Sequence, residues 1–166
     1  MADGMSPAES AEDMSVHESF MRQALELAGQ AAQAGEVPVG AVIVKDGIVI
    51  GTGRNRTEET RNPFMHAEMN AMQEALDRVG GWRLTGCDMY VTLEPCSMCA
   101  GAAVHARLDS IIIGTADPKA GACGSVLDIT SEKRLNHQPA IVTGVLRQEC
   151  SQILKDFFRE IRRKKK

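Results

Sequence analysis

The sequence predicts a layered α/β domain. Three observations carry that reading. Short runs rich in Val and Ile alternate along the chain with segments of helical hydrophobic period. Two helix starts, one near His66 and one near Cys96, come together beyond strand ends, where sites in such sheets form. At 166 residues the chain is long enough to bury one sizeable core, with no internal repeat and no linker dividing it.

Taken in order, residues 1–15 are acidic and rich in Ala and Ser, and are expected to form a disordered leader; a single domain follows over 16–166. Residues 17–34 place Met21, Ala24, Leu25, Ala28 and Ala31 at helical spacing, with Gly35 as the stop and His17 expected in solvent. Residues 37–45 and 48–53 are β-branched runs joined by Asp46-Gly47, a strong hairpin signal. A polar connection over 54–62, opened by Asn55, leads to a helix from His66 to about Val79, stopped by Gly80-Gly81. Residues 89–93 form a third strand that delivers Glu94-Pro95-Cys96 into a helix ending near Ala106. Pro95 is expected in the first turn of that helix, where its missing N–H costs nothing. His105 lies too far along it to meet Cys96 and is read as a surface or interface residue. Residues 111–114 make a buried strand, 117–125 a Gly-rich loop rimming the pocket, and 140–143 a fifth, edge strand with His137 exposed beside it. Residues 148–163 form a C-terminal amphipathic helix.

Composition excludes several classes. With 43% hydrophobic and 25% charged residues the chain has ordinary globular make-up. No stretch approaches the length of a membrane span and no signal peptide is visible, so a cytoplasmic protein with no membrane partner is expected. Five cysteines are an odd number and form no disulfide framework, which suits a reducing compartment. Net charge is −3, yet the C-terminal helix ends in Arg159, Arg162, Arg163, Lys164, Lys165 and Lys166, a local polyanion contact or a solvated helix end.

The chemistry concentrates in His66-Ala67-Glu68 and Pro95-Cys96-Ser97-Met98-Cys99. One imidazole and two thiols make three ligands for a zinc ion, leaving one position open to water and one carboxylate, Glu68, free for proton transfer. Thiols at a helix N-terminus favour the thiolate that a metal needs. The alternative is a closed structural zinc site, for which Cys87 or Cys123 would have to supply a fourth ligand. The pattern H-x-E…P-C-x-x-C matches the signature of zinc nucleobase deaminases.

Beyond that signature, the segments Glu36-Val37-Pro38-Val39-Gly40, His66-Ala67-Glu68-Met69-Asn70-Ala71, Thr92-Leu93-Glu94-Pro95-Cys96-Ser97-Met98-Cys99 and Asp156-Phe157-Phe158-Arg159 resemble the bacterial tRNA-specific adenosine deaminase family. The resemblance covers about residues 15 to 162 in one register. It implies a three-layer cytidine deaminase-like fold, with a five-stranded mixed sheet flanked by helices, and one Zn²⁺ per subunit. It implies a homodimer in which each subunit shapes the other's RNA surface. It also implies the reaction, hydrolytic deamination of adenosine to inosine at the wobble position of a tRNA anticodon loop. Zinc-bound hydroxide would attack C6, with Glu68 as proton shuttle. In the family, residues matching Asn55 and the backbone of Ala67 touch the base.

Residue types suggest the remaining RNA contacts. Arg159, Arg162 and Lys119 are candidates for phosphates, and Phe157 and Phe158 for stacking, with at least one of the pair in the core. The Asp117 carboxylate is a candidate acceptor for a ribose 2′-OH, a group DNA lacks, which would favour RNA over DNA. Two rivals remain at this stage: a free-base or nucleoside deaminase with the same zinc chemistry, and a catalytically silent zinc-stabilised RNA-binding subunit.

Overall fold

The computed structural model describes residues 7–166. Helix α1 spans Pro7–Gln33 and is followed by strands β1 (Gly40–Lys45) and β2 (Ile48–Arg54), the one-turn helix α2 (Thr57–Thr60) and helix α3 (Ala67–Val79). Strand β3 (Cys87–Leu93), helix α4 (Ser97–Ala106), strands β4 (Ser110–Thr115) and β5 (Ala140–Val142) and helix α5 (Arg147–Lys164) complete it.

The hairpin forms where Asp46-Gly47 predicts it. Lys45 pairs directly with Ile48, and both turn residues have positive φ, 52° and 75°, as a two-residue type I′ turn requires. The sheet order is β2-β1-β3-β4-β5. Strand β1 runs antiparallel to β2 and β3, while β3–β4 and β4–β5 are parallel. Thus β2, β3, β4 and β5 all point the same way, and their carboxyl ends share one edge of the sheet. The expected five-stranded mixed sheet is present, with β5 at its margin.

Alternation along the strands separates two cores. Ala41, Ile43, Met89, Val91, Ile111 and Ile113 face α3 and α4, together with Ala67, Ala71, Ala75 and Ala103. Val42, Val44, Tyr90 and Ile112 face the other way, against Met21 and Ala24 of α1 and Cys150 of α5. Helices therefore cover both faces, and the inner strands are buried on both sides. Gly51 and Gly53 seat α3: a Cβ at either would run into the helix backbone at Ala71 or Ala67. That close approach sets the start of α3 beside the end of β2.

The following expectations need correction. The leader was expected to be disordered to residue 15, but α1 begins at Pro7; residues 1–6 lie outside the described residues. Pro suits the first helical position, and Ala and Glu are good helix formers, which composition alone reads as disorder. Pro95 stands before α4, not in its first turn, because Cys96 is the N-cap; the Pro95 carbonyl accepts the N–H of Ala122. His17, expected in solvent, is half-buried, with Nδ1 at 2.8 Å from the Tyr90 hydroxyl and its ring against that of Tyr90. His137 is half-buried too, its Nε2 2.6 Å from the Leu108 carbonyl. His105 is exposed, as expected. No helix among the described residues is long and apolar enough to cross a membrane.

Candidate metal centre and active site

The carboxyl ends of β2, β3 and β4 release, in turn, Asn55, the Glu94-Pro95-Cys96 segment and the loop over residues 117–125. All three reach the same edge of the sheet, which is where a parallel arrangement puts its ligand sites. The start of α3 is carried to the same place by Gly51 and Gly53.

His66 and Cys96 are the N-cap residues of α3 and α4, in extended backbone, and neither caps its helix through its side chain. Their side chains turn to each other instead. His66 Nδ1 lies 3.6 Å from the sulfurs of both Cys96 and Cys99. A tetrahedral zinc with Zn–N of about 2.05 Å and Zn–S of about 2.3 Å would put nitrogen and sulfur about 3.6 Å apart. The donor set therefore fits the ion in spacing. It also fits in charge. Hydrogen bonds from Cys99 and His66 hold the Cys96 thiol down to about 3, which favours the thiolate that a metal needs. Cys99, buried beside that negative sulfur, is pushed well above the usual thiol range, and a cation between the two is what would let both ionise.

Among the described residues only His66, Cys96 and Cys99 form a cluster of metal-ligating groups. Cys87 opens β3 at the opposite edge of the sheet, and Cys123 lines a separate cavity of about 460 Å³ with Asp128 and Thr130. Neither joins the cluster, so the four-ligand closed site lacks its fourth member.

A cavity of about 280 Å³ opens over the cluster, lined by Asn55, His66, Ala67, Glu68, Cys96 and Asp117, with Val37, Val39 and Leu93 as apolar walls. Glu68, in the first turn of α3, is 4% exposed. Burial raises its carboxyl above the ordinary range, which makes the carboxylate a stronger base beside the cluster. Asn55 is 8% exposed, and its Oδ1 has no hydrogen-bond partner among the described residues. An unsatisfied buried acceptor costs about 1–3 kcal/mol, so its donor is expected to arrive with a ligand. Ala67 is fully buried at the start of a helix that no side chain caps, which leaves first-turn N–H groups available there.

A larger groove of about 880 Å³ adjoins this cavity through Leu93 and Asp117. Lys119, Lys155, Phe158, Arg159 and Arg162 line it. At least one of Phe157 and Phe158 was expected in the core, but neither is there, because α5 buries only Cys150. Phe158 is exposed, and Phe157 is half-buried outside the groove lining and meets Phe158 edge-on at 5.4 Å. Arg159 Nη1 pairs loosely with Asp156 at 3.5 Å on the surface. The Asp117 carboxylate is partly engaged by its own loop, since Oδ1 accepts from the N–H groups of Lys119 and Ala120 at 3.0 and 3.3 Å.

Sequence reasoning assigned no work to two buried carboxylates. Glu36 accepts from the N–H groups of Glu58 and Glu59 and holds α2 just after Asn55. Glu94 accepts from the 117–125 loop. Burial pushes its carboxyl up, but hydrogen bonds from Ser125, Cys123 and Asp117 outweigh that and hold it below the usual range. Glu36 and Glu94 stand beside recognisable motifs, but their partners lie 21 or more residues away, and no local spacing marks them.

A model of the MafB19-like deaminase family matches residues 15–162. The tRNA-specific adenosine deaminase of Bacillus subtilis (strain 168) is 45% identical over 153 residues, covering 92% of this chain and 95% of the relative. That of Haemophilus influenzae is 43% identical over 150 residues, covering 90% and 87%. A solved structure from work on A-to-I editing by tRNA:A34 deaminases at the wobble position of transfer RNA superposes with a TM-score of 0.80 at 42% identity, covering 82% of this chain and 99% of that one. The guanine deaminase of Bacillus subtilis superposes less closely, with a TM-score of 0.59 at 37% identity over 66% of this chain and 70% of that one.

Proposed function

The chain belongs to the tRNA-specific adenosine deaminase family, within the MafB19-like deaminases, and from that premise we propose that it hydrolyses the wobble adenosine of a tRNA anticodon to inosine and ammonia. One coincidence carries the chemical part of the reading: the His66–Cys96–Cys99 donor set, the buried Glu68 and the unpartnered Asn55 oxygen share a single small cavity.

One zinc ion per subunit fits this donor set; when bound, it supplies an attacking water whose pKa falls from about 15.7 to about 7. The Glu68 carboxylate would take a proton from the attacking water and hand it to N1 of adenine as C6 gains its oxygen. Glu68 then carries the second proton of the water to the exocyclic amine, which leaves as ammonia, so C6 keeps the oxygen and N1 its hydrogen. Asn55 reads the edge of the base with an amide that both donates and accepts. The Ala67 N–H offers a further donor from the open start of α3. Val37, Val39 and Leu93 exclude bulk water from around the base.

RNA is held in the adjoining groove. Lys119, Arg159 and Arg162 meet phosphates, and Phe158 presents an exposed face for stacking while Phe157 backs it. The Asp117 carboxylate, with Oδ2 not taken up by its own loop, accepts from a ribose 2′-OH. The catalytic unit is a homodimer, each subunit shaping the other's RNA surface; Phe64, 60% exposed two residues before His66, is a surface for such a partner. Five free cysteines suit work in the reducing cytoplasm, where tRNA is processed.

The deciding experiment incubates zinc-loaded protein with total tRNA and sequences for A-to-I change at the wobble position. Editing confined to that position supports the reading. A zinc-replete protein that edits no tRNA overturns it, and ammonia released from free guanine under the same conditions would favour the free-base alternative that the guanine deaminase likeness raises.

A further inference from the structure

The Glu94 carboxylate is 5% exposed and has all four of its acceptor positions filled from one loop. Oε1 receives the Asp117 N–H at 3.2 Å and the Ser125 hydroxyl. Oε2 receives the N–H groups of Cys123 at 3.0 Å and Ser125 at 3.2 Å. Both ends of the 117–125 loop are thus tied to a single side chain. Gly121 lies over that side chain, and a Cβ there would run into the carboxylate itself. Glu94 is also fixed from behind: its N–H bonds the Thr115 carbonyl at 2.9 Å, and the Pro95 carbonyl receives the Ala122 N–H at 2.8 Å. It is two residues from the ligand Cys96, and it lines the same small cavity as Asp117.

We propose that Glu94 is a positioning residue for substrate. By clamping the loop that carries Asp117 to the backbone that carries Cys96, it sets the distance between the rim that meets the ribose and the centre where the base reacts. Both of its oxygens are taken up by the loop, so it acts through Asp117 and not as a ligand of substrate or metal. This inference rests on the functional reading above, since the rim matters only if RNA crosses it. Asp is one methylene too short to reach both ends of the loop. Gln keeps the length, but turns an NH₂ group toward two donors and releases one end.

The test is Glu94→Gln in the zinc-loaded full chain, assayed on an anticodon stem-loop RNA. The Michaelis constant is expected to rise about tenfold, with kcat within about threefold and zinc content retained. In an Asp117→Ala background the same substitution is expected to change KM by less than about twofold, because the residue it acts through is gone. Trypsin cleavage after Lys119, followed by mass spectrometry, should quicken in Glu94→Gln whatever the substrate. An equal KM effect in both backgrounds, or an unchanged KM, overturns the proposal. If Glu94→Gln does not fold, Ser125→Ala removes one donor and leaves the carboxylate; a KM rise of about threefold that vanishes in the Asp117→Ala background supports the clamp, and an unchanged KM rejects it. A wild-type protein that leaves the stem-loop unedited would count against the functional reading alone, while faster cleavage at Lys119 would still report the clamp.

Discussion

The carboxylate of Glu36 accepts the backbone N–H of Glu59 across 23 residues of sequence, at 2.7 Å. It also accepts from the Glu58 N–H and the Thr57 hydroxyl, so one side chain caps the N-terminus of α2 in place of Arg56, whose own side chain makes no cap bond. Helix α2 is a single turn and buries no residue, so it has no packing of its own to hold it. The cap therefore fixes the chain that leaves Asn55.

Removing that cap should loosen the Asn55 side of the cavity before it unfolds the protein. Glu36→Ala leaves two backbone donors and a hydroxyl without their acceptor, which costs about 2 kcal/mol and lowers Tm by about 4–8 °C for a chain of this size. Calorimetry checks the shift, and retained zinc content would show that the metal centre, held by α3 and α4, is independent of the cap.

The metal centre itself predicts a different signature. Cys99 is fully buried and its sulfur is one of three converging donors, so Cys99→Ala is expected to reduce zinc from about one per chain to near zero and to abolish deamination. Chelation of the wild type should do the same and should lower Tm, because an ion bound only by the folded state stabilises it by mass action. Metal analysis beside thermal melts tests both. A variant that keeps its zinc would mean the ion sits elsewhere.

Glu68 should separate chemistry from metal binding. Glu68→Gln preserves shape and leaves all three ligands, so zinc content is expected to stay at one per chain. Loss of the proton carrier should lower kcat about 10²- to 10⁴-fold, with KM little changed. Single-turnover rates on a defined tRNA measure it, and full activity in a zinc-replete variant would remove Glu68 from the reaction.

These predictions also mark where the sequence was readable. His66, Cys96 and Cys99 were legible because their chemistry is written in short spacings, and Asp46-Gly47 announced its hairpin because two consecutive positive φ values need such residues. The strands could be read from their β-branched runs, though β1 starts at Gly40 and not at residue 37. What stayed hidden depends on partners distant in sequence. Helix α2 exists through Glu36, the pocket rim through Glu94, and the two half-buried histidines through Tyr90 and Leu108. A composition that looked disordered continued as helix from Pro7 because Ala and Glu serve both states.

Tyr90 supplies a prediction in pH. It sits in the middle of β3, 3% exposed, facing α1, where its hydroxyl meets His17 and its ring meets Phe20. Burial, with smaller contributions from the negative charges of Asp88 and Asp13, pushes the phenol from 10 up to about 12. The folded state thus resists ionisation that the unfolded chain undergoes freely. Stability from this group is complete below pH 10 and is lost as the pH rises toward 12, by on the order of 2 kcal/mol in all. Tyr90→Phe keeps the ring packing and removes the ionisable group. The variant should start somewhat less stable at pH 8, lacking the bond to His17, yet its Tm should fall less than that of the wild type between pH 10 and 12. Melting both proteins across that window decides the matter: parallel curves would mean that the phenol ionises as readily inside the fold as outside it.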